Sequence, residues 1–134
     1  MPFVLCADFT IFPDGLQLGP IFSLSGMDFQ DAPGAAATSS VNRTSGLNGL
    51  QFPEPGIEVG LPIPVPWVRI HVGQFNKPFV IESIDPGGTT ITNFTVNTPN
   101  SYSFVNLSTG EIAKIRFTGG GHEGVIVSIC ILVP

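Results

Sequence analysis

The residues best suited to chemistry in this chain are few, and they sit on two short stretches. In Trp67-Val68-Arg69-Ile70-His71-Val72, apolar and functional residues alternate. An extended strand would turn Val68, Ile70 and Val72 to one side and Trp67, Arg69 and His71 to the other. In Ala113–Phe117 the same period sets Lys114 and Arg116 opposite Ala113, Ile115 and Phe117. If these two polar faces belong to one sheet, Trp67 becomes a platform rimmed by cations and hydrogen-bond donors. A sugar would stack its ring on that platform and direct its hydroxyls at the rim. The competing reading is that Trp67, beside Pro66, caps the edge of the core or fills a subunit contact.

Catalytic constellations are not visible. A Ser-His-Asp arrangement needs a positioned base. The two histidines, His71 and His122, fall on a strand and in a glycine run, and neither accompanies a nucleophile elbow. Gly119–Gly121 leads into a strand, not a helix, which is the wrong context for a phosphate cradle. Ten carboxylates are present, but nothing in the sequence singles out a glycosidase pair. The expectation is therefore a protein that is not an enzyme. Calcium takes six to eight oxygens, often from loop acids, and Asp28 and Asp31 lie three residues apart between Gly26 and Gly34. The other reading of these acids is that they are turn formers and solvated charges. Two His and two Cys without close spacing argue against zinc.

The elements that must position such residues are strands. The 134 residues suit one domain spanning 1–134 with one core. Charged residues are only 11% of the chain, less than half of the roughly 25% usual in soluble domains. With a net charge of −5 and five basic residues, the chain lacks the clustered cations that nucleic acid requires. No apolar stretch is long enough to span a membrane as a helix, and the first residues have no basic segment or apolar run of signal-peptide length. Low charge with 16 Gly and 13 Pro fits extracellular β proteins and assembly subunits, so the expected location is extracellular or at the cell surface. Eleven Phe residues suggest self-association as a homo-oligomer, with Phe9, Phe12, Phe22 and Phe29 as contact candidates.

Helical periodicity is absent, while strand signals recur. Candidate strands run over Pro2–Phe9, Ile21–Phe29 (broken by Gly26), Leu50–Phe52, Gly56–Val59, Val65–Val72, Pro78–Ile84, Thr89–Val96, Ser101–Leu107, Glu111–Phe117 and Val125–Val133. Asp31–Ser45 reads as a long polar loop. Turns are expected at Asp85-Pro86-Gly87-Gly88, Asn97–Asn100 and Ser108-Thr109-Gly110. Eight to ten short strands with frequent turns indicate an all-β antiparallel sandwich. A jelly roll suits the irregular first half and the long last strand. Asn42, Asn93 and Asn106 begin glycosylation triplets, a pattern that Thr- and Asn-rich strands produce by chance.

From Gly49 to Ile131 the segments GLQF, GIEVGLPIPVPWVRIHVGQF, the strand–DPGG–strand hairpin and GEIAKIRFTGGGHEGVIVSIC resemble a β-sandwich domain of secreted and surface-attached bacterial proteins. Such domains are similar in architecture to jelly-roll carbohydrate-binding modules. The resemblance implies the fold, an extracellular habit and a structural Ca²⁺ near the terminal strands, with Glu123 joining Asp28 and Asp31. Cys6 and Cys130 lie on the first and last strands, which are commonly neighbours in a jelly roll. They are expected either to form a disulfide or to be two buried thiols. Two functional readings stand: a non-catalytic, lectin-like module for glycans, and a self-assembling subunit of a fibre, coat or oligomer.

Overall fold

The computed structural model describes residues 2–34, 38–108 and 110–134. Residues 35–37 of the expected long loop and Thr109 of the expected Ser108–Gly110 turn lie outside them. Within the described residues, two Ser-Gly pairs decide how the first half of the chain is organised. Ser25 and Gly26 have φ of 53° and 75°, and Ser45 and Gly46 have 48° and 89°. Consecutive left-handed residues make the two-residue hairpin turn whose twist matches that of paired strands. Each pair therefore creates a hairpin: β2 (Ile21–Leu24) with β3 (Met27–Asp31), and β4 (Ser40–Thr44) with β5 (Leu47–Phe52). The expected single strand Ile21–Phe29 is thus two, and the expected loop Asp31–Ser45 contains β4. The sequence SVNRT carries only one large apolar residue, Val41, so β4 shows little strand signal. Its partner β5 and the Ser45-Gly46 turn supply what its own composition does not.

The remaining strands are β1 (Phe3–Asp8), β6 (Ile57–Val65), β7 (Val68–Gln74), β8 (Phe79–Ile84), β9 (Thr90–Val96), β10 (Ser101–Leu107), β11 (Ile112–Gly119) and β12 (Gly124–Val133). They form two antiparallel sheets. The front sheet has the order β10-β7-β12-β5-β4. Strand β1 also pairs with β12, beyond the point where β5 leaves it. The back sheet has the order β2-β3-β6-β11-β8-β9. The expected all-β sandwich is present, with twelve strands among the described residues instead of eight to ten. Among the described residues no helix is long and apolar enough to cross a membrane.

Period-two alternation delivers one core between the sheets. Val68, Ile70 and Val72 of β7 meet Ile129 and Ile131 of β12 on the inner side of the front sheet, and Ile81, Ile115, Phe117 and Val59 line the back sheet; all are fully buried. Two aromatic groups anchor the ends. Phe52 lies 5.3 Å from Phe79 and 5.7 Å from Phe117. Phe9 packs edge-on against Phe22 and Phe29, which stack at 4.7 Å. This second group corrects the expectation of Phe contacts between subunits. Phe9 and Phe29 are fully buried, and Phe12 and Phe22 pack against the core. Burying such rings removes more apolar area per residue than any other side chain can.

Cys6 and Cys130 are directly opposite in the β1–β12 register and are bonded as a disulfide. Of the two alternatives left open by the sequence, the structure takes the bridge. It ties the first strand to the last on the outer side of the front sheet, where Cys6 is exposed.

Candidate functional site

Strand order decides the fate of the sequence-derived platform. Arg69 and His71 are on β7 in the front sheet, whereas Lys114 and Arg116 are on β11 in the back sheet. Their outward faces lie on opposite sides of the sandwich, so the five residues do not form one site. Lys114 and Arg116 instead serve each other's neighbour: Lys114 Nζ is 3.1 Å from Glu58 Oε1, Arg116 is 3.1 Å from Glu58 Oε2, and Arg116 also comes within 3.9 Å of Glu82. Burial pushes Glu58 upward, but the hydrogen bonds and charges of Lys114 and Arg116 outweigh it and hold the carboxyl below its ordinary 4.5. A hollow of about 370 Å³ opens beside Asp31, Glu58 and Arg116. It is larger than the front groove described below, yet Glu58 and Arg116 are paired with each other and Asp31 accepts from Ser39.

Trp67 is also displaced from the expected role. It is half-buried in the turn before β7, where its carbonyl accepts the Leu132 N–H at 3.3 Å. It is four residues from His71, about 13 Å along an extended chain. The aromatic platform belongs to β10 instead. Phe104 is directly opposite His71 in the β7–β10 register, and the two rings stack at 4.2 Å and 20°. The Arg69 guanidinium lies 4.2 Å from the centre of the same Phe104 ring. Tyr102 continues the row, 5.6 Å from His71, and Phe75 sits 5.1 Å beyond Tyr102. Phe104 is 55% exposed, as are Phe3 at 54% and Phe94 at 47% elsewhere; what sets it apart is its place in a row with Arg69, His71 and Tyr102.

Local sequence explains this row. On Ser101–Leu107, Val105 and Leu107 are buried, so Tyr102, Phe104 and Asn106 project outward. Gly73 gives Tyr102 room to lie across β7: a Cβ at Gly73 would come within 2.7 Å of both the Tyr102 and Phe75 rings. Burial raises the Tyr102 pKa above its ordinary 10.0, so its hydroxyl stays a donor at neutral pH. That hydroxyl donates to the Thr44 carbonyl at 2.5 Å. Thr44 is on β4, four strands from β10 in the sheet order, a separation of about 19 Å in a flat sheet. A Tyr side chain cannot reach so far. The front sheet therefore curls, its outer face is concave, and the end of the β4–β5 hairpin turns back over that face.

The concavity continues past the row as a groove of about 260 Å³ bounded by His71, Ser128, Asp8, Thr10, Leu47 and the Cys6–Cys130 bridge. Asp8 is occupied locally, accepting from the Thr10 N–H at 2.9 Å and from the Thr10 hydroxyl at 2.7 Å. His71 stands between row and groove. Burial, and then the Arg69 charge, hold its pKa below the ordinary 6.5, so the ring is neutral at pH 7 and offers one donor and one acceptor. Stacking rings, a guanidinium, a neutral imidazole and hydroxyls on a concave sheet can hold a flat, polar, ring-shaped ligand.

The expected calcium trio does not assemble. Asp28 is exposed and accepts from the Ser23 hydroxyl at 2.6 Å. Asp31, on the inward side of β3, is buried, and both its oxygens accept from Ser39, one from the backbone N–H at 2.8 Å and one from the hydroxyl. Glu123 is exposed just before β12, in the other sheet. Alternation along β3 sends Asp28 and Asp31 to opposite faces, because three is an odd step. Among the described residues no three His, Cys, Asp or Glu side chains group to hold a metal.

No family model matches the chain, and no curated protein matches it. Solved structures do. The chain is similar to the unliganded CBM1 of BiXyn10A with a TM-score of 0.50 and 10% identity, covering 96% of each chain. It also resembles the low-affinity xylan-binding module CBM86 from the gut symbiont Roseburia intestinalis, with a TM-score of 0.49 and 13% identity over 99% of this chain and 96% of that one. A family 6 carbohydrate-binding module matches with a TM-score of 0.46 and 18% identity, over 77% and 91%. At such identities the likeness is one of fold. The class of protein it defines is a two-sheet jelly roll of single-module size.

Proposed function

We propose that the chain is a non-catalytic glycan-binding module that works outside the cell, with its site on the concave outer face of the front sheet. The observation that carries this reading is the row Arg69–Phe104–His71–Tyr102 beside the groove at Ser128, Thr10 and Asp8. Sugars present flat apolar C–H faces and a rim of hydroxyls. The row offers an exposed ring fixed by its two neighbours, and the groove offers donors and acceptors. Several proteins that share the fold are named as carbohydrate-binding modules, one of them for xylan, which supplies the class of ligand to try first. The Cys6–Cys130 bridge supports an oxidising compartment.

The self-assembly reading is not favoured, since the four Phe residues invoked for it serve the core. The test is a glycan array followed by calorimetry, with sedimentation run alongside. Phe104→Ala is expected to weaken binding about tenfold or more, equivalent to about 1.4 kcal/mol, while the exposed position leaves the melting curve nearly unchanged. Binding that survives Phe104→Ala intact would move the site elsewhere. A protein that binds no glycan and sediments as a large polymer would return the assembly reading.

A further inference from the structure

Of the five basic residues, four are engaged: Lys77 with Glu54 at 4.0 Å, Lys114 with Glu58, Arg116 with Glu58 and Glu82, and Arg43 with the Asn48 carbonyl oxygen at 3.4 Å. Among the described residues Arg69 alone has neither an ion pair nor a hydrogen bond for its guanidinium; it is exposed, and its listener is the Phe104 ring. In a chain with ten acids and a net charge of −5, a cation without an acid partner is a departure from the pattern on the rest of the surface. The acid on the same face, Asp8, is on β1, beyond β12 from β7, two strand spacings or about 10 Å away at least. Its carboxylate already accepts twice from Thr10.

Resting on the glycan reading above, we infer that the ligand carries carboxylates, as a glycan containing uronic acid residues does, and that Arg69 is the group that reads the charge. A guanidinium is a planar fork whose paired N–H groups match the two oxygens of a carboxylate, and the Phe104 ring keeps that fork from sampling many orientations. Neutral hydroxyls would satisfy donors but leave the positive charge uncompensated. The uronate supplies both the ring that stacks beside Phe104 and the anion that meets Arg69. The overall negative charge of the chain works against polyanions at long range, so a preference for acidic glycans must come from this local contact. The flat aromatic surface favours a sugar acid over an acidic peptide, whose side chains have no ring to stack.

The experiment uses the full chain at neutral pH and two matched pairs: oligogalacturonate against its carboxyl-reduced form, and aldouronic acids from glucuronoxylan against xylo-oligosaccharides of equal length. Poly-glutamate serves as the peptide anion. In at least one pair the acidic member is expected to bind about tenfold tighter or more. Arg69→Gln should collapse that ratio to near unity, and Arg69→Lys, a charge without a fork, should leave an intermediate ratio. Equal binding of acidic and neutral members, a ratio unchanged in Arg69→Gln, or poly-glutamate bound as tightly as the uronates would each overturn the inference. Neutral glycans that bind through Phe104 while uronates do not would sink only the charge assignment. Failure of every glycan in both pairs would overturn the inference, and failure across the glycan array as well would take the functional reading with it.

Discussion

The two outer faces of the sandwich are built from the same strand geometry and differ in how they treat charge. On the back sheet, Glu58 sits between Lys114 and Arg116, and Glu82 closes on Arg116. On the front sheet, Arg69 leans on Phe104, His71 is held neutral, and the strand edge is closed by a disulfide and a Tyr hydroxyl. The back face pairs its charges with one another. The front face leaves a cation without an acid partner and an exposed ring beside an open groove, on a concave surface. Incompleteness of that kind, not the size of a hollow, marks a surface made to meet something else.

The largest effect should come from the covalent closure, which the back face lacks. The bridge spans a sequence separation of 124 residues, and confining so long a loop in the unfolded chain is worth about 5 kcal/mol on the chain-entropy account. Replacing both cysteines by serine should lower the urea-derived stability by about that amount and weaken glycan binding as β1 loosens beside the groove. A double variant within about 1 kcal/mol of the parent would mean that pairing of β1 with β12 suffices without the bond. Next in size is the Tyr102–Thr44 contact. Tyr102→Phe keeps the ring across Gly73 but removes the donor, at a cost of about 1 kcal/mol for a lost hydrogen bond. Amide exchange should then quicken at the β4–β5 hairpin end and stay unchanged in β11. Uniform exchange rates would show that the hairpin holds its place over the front face without the hydroxyl.

The back face should give a smaller change. Glu58→Gln removes the carboxylate shared by two cations, but Lys114 and Arg116 are 53% and 43% exposed and can turn to water. Exposed pairs are worth about 0–1 kcal/mol, so the loss should fall in that range and shrink further in high salt. Glycan affinity should not move. A tenfold loss of binding in Glu58→Gln would collapse the distinction between the faces.

What could be read from sequence was whatever alternation within one strand determines. Val68, Ile70 and Val72 are core, and Arg69 and His71 face outward, as period two requires. The antiparallel sandwich follows from strand count and turn spacing, and the jelly roll from the irregular first half and the long last strand. Which strands share a sheet depends on pairing between residues far apart in sequence, and nothing local to β7 or β11 records it. The grouping of Lys114 and Arg116 with Arg69 and His71 requires that β7 and β11 share a sheet, and they lie in different ones. Trp67 is the sole Trp, yet the aromatic row is built on Tyr102 and Phe104, whose outward phase on Ser101–Leu107 is legible from Val105 and Leu107. The Asp28–Asp31 step failed the same parity rule that succeeded on β7. Cys6 and Cys130 depended on register, which places them directly opposite.

Acid titration should separate the faces most finely, because each holds one group whose pKa is depressed in the fold. His71 on β7 is flanked by Arg69 on the same strand, Tyr102 and Phe104 on β10, Ser128 on β12 and, farther off, Asp8 on β1. Burial and the Arg69 charge lower its pKa from 6.5, so the unfolded chain takes up this proton more readily than the native one. Stability is then full above about 6.5 and declines as the pH falls from there through the lowered native value, after which His71 contributes no further slope. Glu58 is lowered from 4.5 by Lys114 and Arg116 against its own burial. Its stabilising effect is present above about 4.5 and is lost as the pH falls below that. Urea midpoints measured downward from neutral pH should show a front-face decline first and a back-face decline later. His71→Asn should flatten the first segment and leave the second, while Glu58→Gln should do the reverse. A first segment that persists in His71→Asn would mean that another group titrates there, and stability that rises between about 6.5 and 4.5 would mean that neither burial nor the Arg69 charge disfavours the His71 proton in the fold.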